Sequence, residues 1–308
     1  MAKSDSFFGL RRGSTKTLTF SVLKGKQITK DRVEGGRNPR TPEQMVQRMC
    51  MATASAAYAQ MKQIVDHSFE GITYGQTTMS EFIRVNAEEL RKNYYEPGEA
   101  GPDYFFSYNP YRDRLMYAGA YIMSRGTASD IIRAGWDVDT VGSGQSQTQD
   151  QVEVALYDNG AATFSADSVM AGLGIGVGDM ATVCFLFERD SDAAAVFGFV
   201  RVTALQSGTV ALTSANLSTY FKLESNLDIV STTVGETSIK INVKAEGFAD
   251  GTSIAKCCIH SKKQNGKWLR SNAVFNVASY PVRPTAADAL ETYPVGPAYV
   301  LNGGAIED

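Results

Sequence analysis

Gly172-Leu173-Gly174-Ile175-Gly176-Val177-Gly178-Asp179 is the segment whose composition most invites chemistry. Closely spaced glycines can let backbone N–H groups wrap an anion. A phosphate cradle, however, needs a strand before the glycines and a helix opening after them. This run leads instead into the apolar stretch from Ala181 to Phe187 and has no Gly-Lys-Ser/Thr ending, so a turn entering a strand is expected. Cys257-Cys258-Ile259-His260 has metal-ligand residue types without metal-ligand spacing. Adjacent strand residues point to opposite faces, and no second pair exists to complete a tetrahedral set. A strand with one thiol in the core is the expectation, with no metal and no cofactor. The only histidines are His67 and His260. His67 falls at an expected helix end, where an imidazolium suits the last carbonyls better than a triad role. Asp137-Val138-Asp139 and Asp190-Ser191-Asp192 lack the glycine and distal glutamate of a calcium loop and read as solvated turns. A glycan hydrolase with paired carboxylates has no supporting motif. No enzymatic activity is expected.

The charge distribution says more. Arg11, Arg12, Lys16, Lys24, Lys26, Lys30, Arg32, Arg37 and Arg40 fall within thirty residues that hold only two acids, Asp31 and Glu34. The local charge is +7 on a chain whose total is −3, which leaves −10 on the other 278 residues. A basic arm on an acidic body is a statement about partners: neighbouring protein copies, or nucleic-acid phosphates. Edge-guarding lysines on a surface hairpin are the plainer alternative. No apolar run reaches the ~20 residues that span a bilayer, so no membrane partner is expected. No apolar segment follows Met1-Ala2-Lys3-Ser4-Asp5, so no secretory signal is expected either. The four cysteines, Cys50, Cys184, Cys257 and Cys258, are expected to be free thiols.

Several elements would position these groups. Leu18, Phe20 and Val22 alternate with polar residues, and Lys24-Gly25-Lys26 follows, which predicts a hairpin within residues 1–40. Thr41, Pro42 and Gln44 predict a helix start, with Met45, Met49, Ala52 and Ala56 at helical spacing to about His67. Thr78 and Glu81 predict a second capping box and a helix to Asn93. The aromatic stretch from Gly101 to Arg112 follows, and the residues from Leu115 to Ile122 fit either strand or helix. The small polar residues of 141–150 read as a linker. Beyond them, alternation at Val152-Val154-Leu156, Val196–Val202 and Ile239-Ile241-Val243, the dense run Ala181–Phe187 and a long strand from Trp268 to Val277 predict a sandwich. The expected layout is a basic arm and hairpin (1–40), an α+β N-terminal domain (41–140), the linker, an all-β immunoglobulin-like antiparallel sandwich (151–280) and a Pro/Gly-rich tail (281–308).

The chain resembles a family of uncharacterised proteins from Bacteroides-type gut bacteria and their phages. The residues that carry this are Gly9, Lys24-Gly25-Lys26-Gln27-Ile28, Asn38-Pro39-Arg40-Thr41-Pro42-Glu43-Gln44 with Gln47-Arg48, Leu173 to Asp179, and Tyr299 with Leu301-Asn302-Gly303-Gly304. Val300 interrupts the last of these. The resemblance transfers no catalytic residue. It implies a phage-like setting, and so a structural virion or assembly protein, found in the virion or in host cytoplasm before assembly; the charge of the arm beside an acidic body adds the expectation that it oligomerises through that arm. The alternative is a nucleic-acid-binding protein, with Arg11, Arg12, Lys24, Lys26 and Arg37 on phosphates and Phe7 and Phe8 stacking on bases.

Overall fold

Apolar residues recur every three or four positions in the first helical segment and every second position after residue 151, and the two patterns settle into separate regions. The computed structural model describes residues 2–4, 13–23, 26–32, 42–72, 77–92, 95–98, 101–104, 119–141, 151–188, 195–245 and 255–277. An N-terminal region mixing helix and strand is followed by a larger β-rich region of several sheets.

The N-terminal strands β1 (Ala2–Ser4), β2 (Gly13–Ser14), β3 (Leu18–Leu23) and β4 (Lys26–Asp31) form an antiparallel sheet in the order β1-β4-β3-β2. The expected hairpin pairs Leu18 with Asp31 and Leu23 with Lys26; its turn lies outside the described residues. Helix α1 (Pro42–Val65) buries Ala54, Ala57, Met61, Ile64 and Val65. Small side chains there allow close approach to α2 (Thr78–Lys92), and the rings of Tyr58 and Phe82 meet at 6.4 Å. The cap of α2 is one residue earlier than expected. Thr77 Oγ1 accepts from Ser80 N–H at 3.1 Å, while Glu81 pairs with Arg84 rather than closing a box with Thr78.

A short pair, β5 (Tyr95–Gly98) and β6 (Gly101–Tyr104), precedes β7 (Gly119–Ser124). The fully buried Asn86 fastens α2 to β7. Its Nδ2 donates to the Ile122 carbonyl at 3.0 Å, and its Oδ1 accepts from Ile122 N–H at 2.7 Å. Strand β8 (Trp136–Thr140) follows a 3-10 turn at Arg133–Gly135 and pairs with β9 (Gln151–Tyr157). The segment read as a linker therefore joins two neighbouring strands of one sheet. Asp137 sits within β8 rather than in a solvated turn, with Lys256 Nζ at 2.5 Å. Asp190 and Asp192 lie outside the described residues.

Two antiparallel sheets face each other in the C-terminal region. One has the order β12-β11-β10-β15-β16 and the other β13-β14-β9-β8. Their strands are β10 (Met180–Glu188), β11 (Ala195–Ala204), β12 (Phe221–Ser225), β13 (Ile229–Val234), β14 (Ser238–Lys244), β15 (Ala255–Gln264) and β16 (Lys267–Arg270). Val152, Val154 and Leu156 from β9 and Ile239, Ile241 and Val243 from β14 meet Val183, Phe185 and Phe187 from β10 in one core. The residues between them, Cys184 and Leu186, point the other way, and join Phe197, Phe199, Cys257 and Ile259 in a second core beneath α1, α2 and β7. The β10 sheet is thus a middle layer buried on both faces, which is why its central strand β10 reads as a dense apolar run.

Two helices had no clear sequence signal. Helix α3 (Ala166–Leu173) is capped by Ser165, whose Oγ accepts from Ser168 N–H, and it ends at Gly174 in the left-handed region. Helix α4 (Leu217–Tyr220) is a single turn before β12. The long strand expected from Trp268 to Val277 is two strands in different sheets. Ser271 makes the last bonds to β15, with its N–H on the His260 carbonyl at 2.9 Å. The chain then crosses to form β17 (Ala273–Val277) against β7, where Phe275 is buried beside Phe197. No described helix is long and apolar enough to cross a membrane.

Candidate functional site

Of the nine basic residues, the structure describes the side chains of three. Lys16 lies in the bend before β3, Lys30 on β4 and Arg32 just beyond it, all exposed. Pairing of Thr19 with Lys30, and of Arg32 N–H with the Thr17 carbonyl at 2.8 Å, brings them to one end of the sheet. Arg32 Nη1 reaches only the Thr15 carbonyl, at 3.5 Å. Among the described residues no ion pair engages any of the three. Lys26 opens β4, but its side chain lies outside the description, and Arg11, Arg12, Lys24, Arg37 and Arg40 lie outside the described residues altogether.

The glycine run caps α3 and turns into β10. Anion binding at that point would face the negative end of the helix dipole. Its last residue, Asp179, is buried and belongs to a group not foreseen from spacing: Ser129, His260 and Asp179. Those are the residue types of a hydrolytic triad, but the wiring differs. His260 Nδ1 lies 2.7 Å from the Ser129 carbonyl, which can only accept, so Nδ1 carries a proton and donates it there. The Ser129 hydroxyl, 3.4 Å away, meets a nitrogen with no free lone pair. Nε2 faces Asp179 Oδ2 at 3.1 Å, and the imidazole is 1% exposed. The group clasps the segment after β7, the turn before β10, and β15 together, with no general base turned to a substrate.

The neighbouring thiols also differ from the expectation of one cysteine in the core. Cys257 enters the second core opposite Cys184, and Cys258 enters the first. Burial pushes both thiols well up, which keeps them protonated and unreactive. Among the described residues no group of three or more His, Cys, Asp or Glu could hold a metal.

A polar cavity of about 290 Å³ opens where α1 stops short of covering the middle sheet. Thr182 of β10, Arg201 of β11 and Ser261 of β15 line it together with Trp268 and Arg270 of β16, and the end of α1 contributes His67. Arg201 shares the face of Phe197 and Phe199, stacks 5.6 Å from the Phe199 ring and reaches Glu224 only at 3.5 Å. Arg270 is 9% exposed, lies 5.3 Å from the Trp268 ring and donates through Nε to the His67 carbonyl at 2.5 Å. Its Nη1 is buried without a hydrogen-bond partner. Burial, and then the like charge of Arg201, pull the Arg270 guanidinium below its ordinary value, though it remains a cation at neutral pH. The carboxylate closest in function, Glu70, is occupied by the backbone N–H of Arg270 and by Thr127, whose N–H and hydroxyl donate at 3.2 and 2.9 Å.

Sequence spacing does not single out this cavity. Its one-dimensional trace is an arginine on the apolar face of β11 and a Trp-x-Arg step at the end of β16, and neither has meaning until the strands are neighbours. No family model matches this chain, and comparisons with curated proteins and with solved structures gave no match.

Proposed function

We propose that this chain is a non-enzymatic structural subunit, of the kind that builds a phage particle, and that it joins copies of itself or neighbouring particle proteins through its basic N-terminal sheet. One observation carries the reading: Lys16, Lys30 and Arg32 stand exposed at one end of a separate sheet without a carboxylate partner among the described residues. An acidic remainder of −10 on a second copy would supply the opposite charge. The resemblance to phage-associated proteins supports the particle setting. On this reading the two-sheet region acts as an immunoglobulin-like packing module.

The exposed cations also favour a second reading, in which they contact nucleic-acid phosphates. Sedimentation of the full chain separates the two. The structural reading expects assemblies at low salt that dissociate as salt rises, and a single species for the triple variant Lys16→Glu, Lys30→Glu, Arg32→Glu. A wild-type chain that stays monomeric at every salt and concentration overturns it. Filter binding to DNA tests the alternative. Three phosphate contacts give a slope of about −2.7 in log K against log salt, and such binding without assembly, lost in the triple variant, transfers the function to nucleic acid.

A further inference from the structure

We infer that the cavity between the end of α1 and the middle sheet is a binding site for a small oxyanion, a carboxylate or phosphate carried on a flat or apolar body. The first support is electrostatic. Arg270 is nine-tenths buried, and one of its amino groups has no partner. Burying a guanidinium is costly; Glu70 offsets that cost only in part, and a second arginine on the same cavity raises it. An anion seated between Arg201 and Arg270 offsets the repulsion between the two guanidinium groups. Arginine forks match the geometry of carboxylate and phosphate oxygens. Arg201 is available for this, because its contacts with Glu224 at 3.5 Å and Thr182 Oγ1 at 3.4 Å are both at the long limit of hydrogen bonding.

The remaining lining defines the body that carries the charge. Trp268 is 42% exposed and lies against Arg270, so its ring offers a stacking surface at the rim. Ile64, Met180 and Ile259 add apolar wall, and the hydroxyls of Thr182 and Ser261 add donors. The lining holds more polar groups than small-molecule sites usually do, which suits a charged ligand, and the volume lies near the lower end of the range of such sites. A bare inorganic ion would leave the tryptophan unused.

The test uses the full chain and four probes: phenyl phosphate, benzoate, inorganic phosphate and the neutral benzyl alcohol. Calorimetric titration is expected to show saturable binding of phenyl phosphate or benzoate, the tighter of the two naming the class. Benzyl alcohol should not bind, and inorganic phosphate should bind at least about tenfold more weakly than phenyl phosphate, a difference of about 1.4 kcal/mol. Arg201→Gln should weaken anion binding by about tenfold or more, and Trp268→Ala should abolish the preference for the phenyl group. The triple variant in the N-terminal sheet should bind as tightly as wild type, so this site can stand or fall separately from the assembly reading. The indole N–H resonance of Trp268 in unmodified protein gives a readout that needs no variant, and it should shift on titration. Absence of binding by both aromatic anions, equal binding of benzyl alcohol, a Trp268 resonance that does not move, or binding untouched by Arg201→Gln while lost in the triple variant overturns the site.

Discussion

Glu70 sits beside the arginine cavity and shows how one carboxylate can hold several segments. It follows α1, and it accepts from the backbone N–H of Arg270 and from both donors of Thr127, joining the α1 end, the segment after β7 and β16. Burial acts to raise its pKa, but the hydrogen bonds from Arg270 and Thr127 outweigh burial, so the folded value lies below the ordinary 4.5. A carboxylate lowered in this way stabilises the fold fully above the unfolded value. That contribution is lost as pH falls through the folded value. Urea unfolding of wild type and Glu70→Gln between pH 7 and pH 3 should therefore show a stability gap that is widest above about pH 4.5 and closes in acid. A gap that stays constant across the series would assign the effect to shape rather than charge. Tyr58 behaves in the opposite sense: burial and the hydrogen bond to Asp66 push its phenol up to about 12, so it stays neutral throughout that range.

Between elements, backbone contact decides what a residue can be. Gly172 lies in the last turn of α3, where alanine would ordinarily stabilise by about 1 kcal/mol through helix propensity. A Cβ there would stand 2.5 Å from the Tyr157 carbonyl oxygen, and one on Gly135 would stand 2.2 Å from the Gly172 oxygen. The end of β9, the 3-10 turn and α3 are packed backbone to backbone, with no flexible side chain to yield. Gly172→Ala should therefore destabilise by about 2–3 kcal/mol, read as a lower urea midpoint with an unchanged m-value. Stabilisation of the variant would mean that these three elements move apart more readily than their packing implies. Asn265 and Gly266, both at positive φ, make the turn between β15 and β16, the residue pair that such a two-residue hairpin turn favours.

At the scale of the molecule, the helical region is a layer rather than an appendage. It covers Cys184, Leu186, Phe197, Phe199, Cys257 and Ile259 on the outer face of the middle sheet. A chain cut to residues 151–280, the sandwich boundary suggested by composition, would lose that cover and also β8, the partner of β9. It should be insoluble or bind hydrophobic dye strongly, because it exposes an apolar patch far larger than single surface residues. A soluble, cooperatively melting fragment would show that the second core is dispensable. The strands of the basic sheet, by contrast, pair only with one another among the described residues.

Local rules were enough for much of the chain. Periodicity marked α1, β9, β11 and β14, a capping pattern marked α2 and a dense apolar run marked β10, since each signal lies along a single segment. The clustering of nine cations within thirty residues is a property of composition and needs no fold to be seen. Other features exist only across segments. The division of Trp268–Val277 between two sheets, the clasp of Ser129, His260 and Asp179, and the meeting of Arg201 with Arg270 all join residues tens of positions apart. Strand order decided them, and strand order is set by which apolar faces can be buried together, a quantity no single segment carries.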